Sequence, residues 1–569
     1  MKINANKLRR HIVRKFCHTS GDSERLQALM EYTQHLNDYI LSEGKKWQAN
    51  LPELQFLSGT RTDLGPKFPA RYYSYLDELD KGEDYEPVDD KEILQEVARF
   101  FRGSLRSGSP NALFNMLPEA SIEATAAAWL VTTYNPNMLM DFFGGEALLI
   151  EQQVCRYIGK WAGWPQSMGI ACNGGKFTLL YAIRLAISRM EPESAKTGLP
   201  RDLVILCSEG AHYCVEHAAS LLGLGADNCL RVAGTKDGVM DPNELQRVLD
   251  EQHLNGRRIA AVICSGGTTI NFNCEDTCKI LQSINDFSIR HSLRQRPYLH
   301  LDSVIGWIYL STLNMDSESI FAHFSEPETR KRIAEVQRRL EGISGFDSMG
   351  VDFHKNGLCP YASSFFIASD RRFMDELGDG NYKYCDKDFH YGQFRTYRYT
   401  FENSRPGQGI LAAWVNLRRL GRRGYADYLA LLHRARNSVS DALARHSFFR
   451  VLNESSLGWE VVFAILFAPD IISLSQSHEE LAMSFMQECW ERVNAGYNLP
   501  LFSIVPGYRI NNDPENIITA FLVYPMRQYS DEEWDDIVKL IAAQVNDFQD
   551  RLRSQQLSIE RIQIDRPVR

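Results

Sequence analysis

The chain of 569 residues contains no apolar run that approaches the roughly 20 residues a helix needs to cross a bilayer, which predicts a protein without membrane spans. Positive charge is not in excess either. Lys and Arg number 63 against 72 Asp and Glu, a formal net charge of -9, whereas a nucleic-acid binder ordinarily carries the opposite balance. Neither nucleic acid nor membrane is therefore the expected partner, and a small charged metabolite suits this composition better. Zinc-type spacing is also missing: Cys274 and Cys278 could form half of such a site, but no second Cys/His pair follows, so no metal is expected. The 12 cysteines are scattered, with Cys207, Cys264 and Cys359 inside or beside apolar segments, a pattern of reduced thiols in a cytoplasmic protein rather than of a disulfide framework. Internal repeats, low-complexity tracts and a secretory apolar stretch are likewise absent. The basic opening (Lys2, Lys7, Arg9, Arg10, Arg14, Lys15) reads as a helix start rather than a transit peptide.

What is present is the composition of an ordinary globular protein, 44% hydrophobic and 24% charged, in a chain too long for one core. The pattern divides it into an N-terminal helical segment (1–110), a large α/β domain (111–420) and a small α/β domain (421–569). Within the large domain, Leu203-Val204-Ile205-Leu206-Cys207-Ser208, Ala260-Ala261-Val262-Ile263-Cys264-Ser265 and Tyr298-Leu299-His300-Leu301-Asp302 are short apolar runs without polar alternation, the signature of parallel strands buried on both faces. Helical periodicity is expected over 25–47, 91–102, 120–134, 146–161, 177–189, 215–224, 241–252, 410–420 and 425–446, and in the small domain over 479–495 and 531–547. Strands are expected at 365–367, 459–467 and 517–523, an irregular linker over 63–90 and a charged extension over 551–569.

Chemically capable residues stand at the C-terminal ends of the three runs: His212 beyond the first, Thr268 and Thr269 beyond the second, Asp302 closing the third. Ligands of open α/β sheets bind along that edge. Gly174-Gly175 before a helix can admit an anion to free backbone N–H groups, although a glycine pair by itself also serves any tight turn. Lys355 lies among small, apolar and imidazole neighbours in Asp352-Phe353-His354-Lys355-Asn356-Gly357. A lysine so placed can lose its proton and attack a carbonyl to form a Schiff base, whereas most lysines are solvated surface charges. The constellation of lysine, strand-end aspartate, histidine and glycine pair makes sense around one cofactor, pyridoxal phosphate.

In order, Asn173-Gly174-Gly175-Lys176, Ala211-His212-Tyr213-Cys214-Val215, Gly267-Thr268-Thr269, His300-Leu301-Asp302-Ser303 and Asp352-Phe353-His354-Lys355 resemble the motifs of the group II pyridoxal-phosphate-dependent amino acid decarboxylases over roughly residues 90–550. The resemblance implies the fold type I architecture of the aspartate aminotransferases: a mainly parallel seven-stranded sheet with helices on both faces, beside a smaller α/β domain, assembled as a homodimer. It implies that Lys355 carries the cofactor, Asp302 pairs with its ring nitrogen, His212 stacks on its ring, Gly174 and Gly175 hold its phosphate, and Thr268 and His354 support it. Two departures stand out. Lys176 replaces a small hydroxyl residue and can meet the phosphate or point to solvent, and Phe272 replaces a glycine and crowds its loop.

Asn135, in Asn135-Pro136-Asn137, and Arg405, in Asn403-Ser404-Arg405-Pro406-Gly407, are implied near the substrate, a structural ion pair being the alternative for Arg405. The tyrosine-dense segment 378–398 resembles the family's mobile loop, in which a phenol donates a proton; Tyr384 and Tyr391 rank ahead of Tyr382 and Tyr397. The implied activity is decarboxylation of an L-amino acid to an amine, through an external aldimine and a quinonoid intermediate. A carbon-carbon aldehyde lyase and decarboxylation-coupled oxidative deamination are the enzyme alternatives. A non-catalytic interaction protein of the same fold is disfavoured by the intact Asp302 and Lys355.

Overall fold

The computed structural model describes residues 23–48, 76, 89–101, 108–109, 111–116, 118–378, 394–473, 477–494, 497 and 499–555. By compactness the chain divides into a larger unit of Leu113–Ala482, Phe502–Val538 and Gln549–Arg569 and a smaller one of Met1–Ala112, Met483–Leu501 and Lys539–Phe548. In the smaller unit, helices α1 (Ser23–Gln48) and α2 (Asp90–Phe100) pack on each other. The basic N-terminal residues and most of the expected linker lie outside the described residues.

The larger unit is built on a seven-stranded sheet: β1 (Met168–Cys172), β2 (Leu203–Ser208), β3 (Cys229–Val232), β4 (Arg258–Ser265), β5 (Tyr298–Asp302), β6 (Ser348–Asp352) and β7 (Ser364–Ala368), in the spatial order β1-β7-β6-β5-β4-β2-β3. β7 alone runs antiparallel to its two neighbours; β6, β5, β4, β2 and β3 pair in parallel. Successive side chains point to opposite faces of a strand, and here both faces are covered. On β2 and β4, Val204, Leu206, Val262 and Cys264 enter one core cluster while Ile205, Cys207, Ala261 and Ile263 enter the other. That is why these runs show no polar alternation. Each fully buried Ile or Val is worth about 2 kcal/mol of transfer free energy, so a one-residue slip of register would only exchange one apolar set for another, and register is held instead by the ladder and the connecting helices.

The helices that matter for the site are α3 (Ile122–Tyr134), α4 (Ala147–Trp161), α5 (Gly175–Met190), α6 (Cys214–Leu221), α7 (Pro242–Leu254), α8 (Thr277–Arg290), α9 (Pro327–Leu340), α10 (Phe353–Asn356) and α11 (Gln408–Ala444). Ser121 caps α3 by accepting the Ala124 N–H, and Asp241 caps α7 with Pro242 in its first turn, the second of these being the Asp-Pro start expected from the sequence. The two helices expected at 410–420 and 425–446 are both present as the two parts of α11, which meet at a kink at Gly421, whose φ of +59° a residue with a Cβ would adopt only with strain. A second, four-stranded antiparallel sheet has the order β10-β11-β9-β8, from β8 (Phe449–Val451), β9 (Val461–Ile465), β10 (Ser503–Arg509) and β11 (Ile517–Val523). The last two long helices are α12 (His478–Asn494) and α13 (Asp531–Gln555). α13 extends the helix expected to end at 547 and takes in the first residues of the expected frayed extension.

Candidate active site

β6 ends in Asp352 and the chain turns at once into the single helical turn α10. Phe353 opens that turn and is fully buried, its ring 4.6 Å from that of Trp307 and 5.5 Å from that of Phe365. The Trp307 indole N–H also donates to the Asp352 carbonyl at 3.1 Å, so the start of α10 is fixed at two points. Residues two apart on a helix face opposite ways. With Phe353 turned into the core, Lys355 is turned out along the sheet edge, its side chain 24% exposed and its Nζ 3.2 Å from Asp352 Oδ2.

Asp352 was not singled out by the sequence reading, yet its carboxylate is the hub of the site. The residue is buried; Oδ1 accepts from the Ser364 hydroxyl at 2.6 Å, and His354 Nε2 stands 3.6 Å from Oδ2. His354 is buried, lies 4.2 Å from the Tyr361 ring and accepts the Ser363 N–H at 3.4 Å. Burial lowers its pKa and keeps the imidazole neutral near pH 7.

Asp302 closes β5, opposite Gly350 of β6. Burial pushes its carboxyl up to about 6, against the opposing pull of the Lys355 charge, and Oδ1 is a buried acceptor with no hydrogen-bond partner. A buried polar atom left unpaired in this way marks a place for a ligand donor. His212, just past β2, has its imidazole pushed down to about 4, by desolvation first and then by the Lys355 and Lys176 charges, so its ring is neutral. Its Nδ1 accepts the Cys214 N–H at 3.2 Å, which fixes the ring beside the start of α6.

Gly174 has φ +104° and nothing within 4 Å of where a Cβ would stand, so the backbone ahead of α5 is open to an incoming group. A Cβ on Gly175 would lie 3.0 Å from Asp352 Oδ2 and 3.1 Å from Val304, so a side chain there would press on both and force them to give by a few tenths of an ångström. Free N–H groups and the positive dipole end of the 16-residue helix α5 make this an anion seat. Lys176, the next residue, stands 3.0 Å from His217 Nδ1 on α6.

Other expected residues stand differently. The Thr268 hydroxyl is used within its own loop, donating to the Ile270 carbonyl at 2.6 Å and accepting the Asn273 N–H at 2.8 Å, so it supports the loop rather than offering itself to a ligand. Phe272, with φ +42°, fills the space beside Gly267 and packs 5.0 Å from Tyr309 and 5.7 Å from Trp459; the expected crowding is a buried aromatic cluster. Arg405 takes the structural alternative: its guanidinium is buried against the Glu151 carboxylate at 2.7 Å and also donates to the Ala171 and Met138 carbonyls. Asn135 is the left-handed C-cap of α3, and it is Asn137 that reaches Ser404, at 2.9 Å. Tyr382, Tyr384 and Tyr391 lie outside the described residues. Tyr397 lies in a short 3-10 turn whose N–H bonds the Leu139 carbonyl at 3.2 Å.

Beside the ends of β1 and β7 opens a cavity of about 540 Å³ whose lining includes Trp129, Asn173, Tyr361, Ser364, Glu402 and Arg405. Tyr181 donates to Glu402 Oε2 at 2.8 Å, while Glu402 Oε1 is buried without a partner. Asp352, Glu151 and Glu402 are the residues the sequence reading passed over. Asp352 had a visible signal, since it stands inside the quoted lysine motif. The roles of Glu151 and Glu402 depend on contacts across more than 200 positions of chain, which no local pattern carries.

The donor set fits pyridoxal phosphate: an amine at the sheet edge, an unpaired buried carboxylate oxygen, a neutral imidazole, and an open anion seat on α5. Comparison with known proteins agrees. A family model described as the pyridoxal-dependent decarboxylase conserved domain matches residues 74–466. The chain is 27% identical over 220 residues to a glutamate decarboxylase of Drosophila melanogaster, covering 38% of this chain and 41% of that protein. It is 28% identical over 218 residues to human cysteine sulfinic acid decarboxylase, covering 38% and 43%. The matched stretches thus span about two fifths of those relatives. Among solved structures, mouse CSAD in apo form superposes with a TM-score of 0.72 at 17% identity, covering 91% of this chain and 98% of that one. Oryza sativa TDC with PLP and tryptamine gives 0.70 at 14% identity, covering 94% and 100%. These likenesses establish the shared fold.

Proposed function

We propose, from the membership of this chain in the pyridoxal-dependent decarboxylase family, that it removes the carboxylate of an L-amino acid as carbon dioxide and releases the corresponding amine. The observation that carries the reading is the convergence of Lys355, Asp302 and His212 at the C-terminal edge of one sheet, with an unpaired oxygen on Asp302. Lys355 would hold the cofactor through Nζ, Asp302 its ring nitrogen, His212 a face of its ring and the α5 N-terminus its phosphate. When bound, pyridoxal phosphate supplies an electron sink for the bond broken at the α-carbon.

The remaining tasks fall to the chain itself. Asp352 Oδ2 pairs with the free Lys355 amine at 3.2 Å and positions it, and Ser364 and His354 hold Asp352 in turn. Neutral His212 offers a flat ring without adding positive charge beside the lysine. The 540 Å³ cavity gives the substrate side chain room next to Ser364, and the buried Arg405–Glu151 pair fixes the wall behind it. Tyr384 and Tyr391, on the strength of the resemblance alone, are the proposed proton donors. The family is named for decarboxylation, which favours this reading over a carbon-carbon lyase.

A homodimer is part of the proposal. Ile122, Tyr134, Phe142, Phe143 and Tyr361 are large apolar side chains more than half exposed on or beside the elements that frame the cavity, a surface of the kind that a second copy would cover. A cytoplasmic location is also proposed, supported by cysteines such as Cys207 and Cys229, whose sulfurs lie 3.7 Å apart in a thiol contact rather than a disulfide. Among the described residues no helix is long and apolar enough to cross a membrane. The activity is tested by incubating the cofactor-loaded protein with aromatic, acidic and basic L-amino acids and measuring carbon dioxide and amine together. Stoichiometric release of both from one substrate is expected. An aldehyde without carbon dioxide, or no product from any of them, would defeat the reading.

A further inference from the structure

Lys176 is a cation in a place that disfavours one. It is the second residue of α5, where the helix dipole is positive, and no described carboxylate lies within 4.0 Å of its Nζ; its contact is His217 Nδ1 at 3.0 Å. An ammonium can only donate, so the imidazole nitrogen accepts and steadies the side chain without neutralising it. The same seat also carries a negative charge that an arriving phosphate must face. Asp352 Oδ2 stands 3.0 Å from where a Gly175 Cβ would be, buried at the foot of α5, and its cation in this structure is Lys355, the residue that would be committed to the cofactor.

We infer that Lys176 is a phosphate ligand of this chain, positioned by His217, which offsets the Asp352 carboxylate facing the anion seat. The inference rests on the pyridoxal phosphate reading and goes beyond it by assigning the charge balance of the seat. A neutral hydroxyl at position 176 would satisfy one phosphate oxygen but leave that carboxylate uncompensated, whereas a lysine supplies a charge-assisted hydrogen bond and the missing counter-charge together. The influence of the Lys176 charge on both His212 and Cys214 places it within range of the ring side of the site.

The experiment uses full-length protein stripped of cofactor and titrated with pyridoxal phosphate and, separately, with pyridoxal, which lacks the phosphate. Binding is read by protein fluorescence, with circular dichroism to confirm that each variant is folded. Lys176→Gln is expected to weaken pyridoxal phosphate by about tenfold to a hundredfold, the worth of a hydrogen bond to a charged group, and to leave pyridoxal unchanged. His217→Ala should cause a smaller loss of the same kind. Adding Asp352→Asn to Lys176→Gln should restore most of the affinity for pyridoxal phosphate, the signature of two opposed charges at one seat. Unchanged affinity in Lys176→Gln, equal loss for both ligands, or no recovery in the double variant would overturn the inference. Wild-type protein that binds neither ligand would instead defeat the cofactor reading itself, so the two failures are told apart.

Discussion

Replacing Asp302 by Asn removes one charge and almost no volume, and its effect should reverse sign with the cofactor. Without cofactor the carboxyl is pushed up to about 6 from an ordinary 3.8, a shift of about two units, so its charged form costs the folded protein up to about 3 kcal/mol at neutral pH. The native state then holds this proton at a pH where the unfolded chain has already released it. The contribution of the wild-type residue to stability therefore falls as pH rises through about 4 to 6, and is fully lost above the folded pKa. Relative to wild type, cofactor-free Asp302→Asn should gain up to about 3 kcal/mol between pH 4 and pH 7. On the proposed function, bound cofactor would give Asp302 Oδ1 the partner it lacks, and the same substitution would then remove one member of a buried charge pair, at about 3–5 kcal/mol. If most of that loss falls on the transition state, turnover drops by about two to three and a half powers of ten. Urea unfolding of both proteins at a series of pH values gives the first number, and amine release at measured cofactor occupancy gives the second. A stability difference independent of pH, or turnover within tenfold of wild type at full occupancy, would refute the reasoning.

Arg405→Met should strand the buried Glu151 carboxylate and cost about 3–5 kcal/mol, lowering the thermal midpoint, and Glu151→Leu added to it should restore much of that loss; a native midpoint for Arg405→Met would show that the pair is not structural. Phe353→Ala should remove the core anchor that aims α10 and cost about 3–5 kcal/mol, with covalent cofactor capture slowed beyond what the stability change explains; capture at the native rate would mean that α10 is placed by other contacts. Single Tyr→Phe changes at Tyr384 and Tyr391 should shift product from amine towards aldehyde in one of the two, scored by product analysis; wild-type amine rates in both would place the donor elsewhere.

Much of this architecture was legible because its strongest determinants are local. The runs that became β2, β4 and β5 are apolar on both faces, and only a sheet covered by helices on both sides accepts such strands. Asp302 and His212 were singled out from their positions at the ends of those runs, Lys355 from the neighbours in its own motif, and the glycine pair from its place before a helix. β1 and β3 were not anticipated. Met168-Gly169-Ile170-Ala171-Cys172 carries a glycine and a small alanine, and Cys229-Leu230-Arg231-Val232 is a four-residue edge strand with an outward arginine, so each owes its conformation to the partner strand rather than to its own sequence. The helices α8 and α9 were also passed over, although Asp276 caps the first and Pro327 opens the second. Side-chain commitments were the least legible. Whether Arg405 faces a substrate or Glu151, whether Thr268 serves a ligand or its loop, and that Asp352 lies between the lysine and the anion seat are facts of long-range packing.

The central claim is that Lys355 is the residue to which the cofactor is attached. The most direct measurement is borohydride reduction of the cofactor-loaded protein followed by peptide mapping of the fixed pyridoxyl group, in wild type and in Lys355→Ala. The account predicts a single modified peptide in wild type, carrying the adduct on Lys355, and none in the variant. An adduct on Lys176 or any other lysine in wild type, or an adduct on the same peptide that survives the substitution, would contradict it.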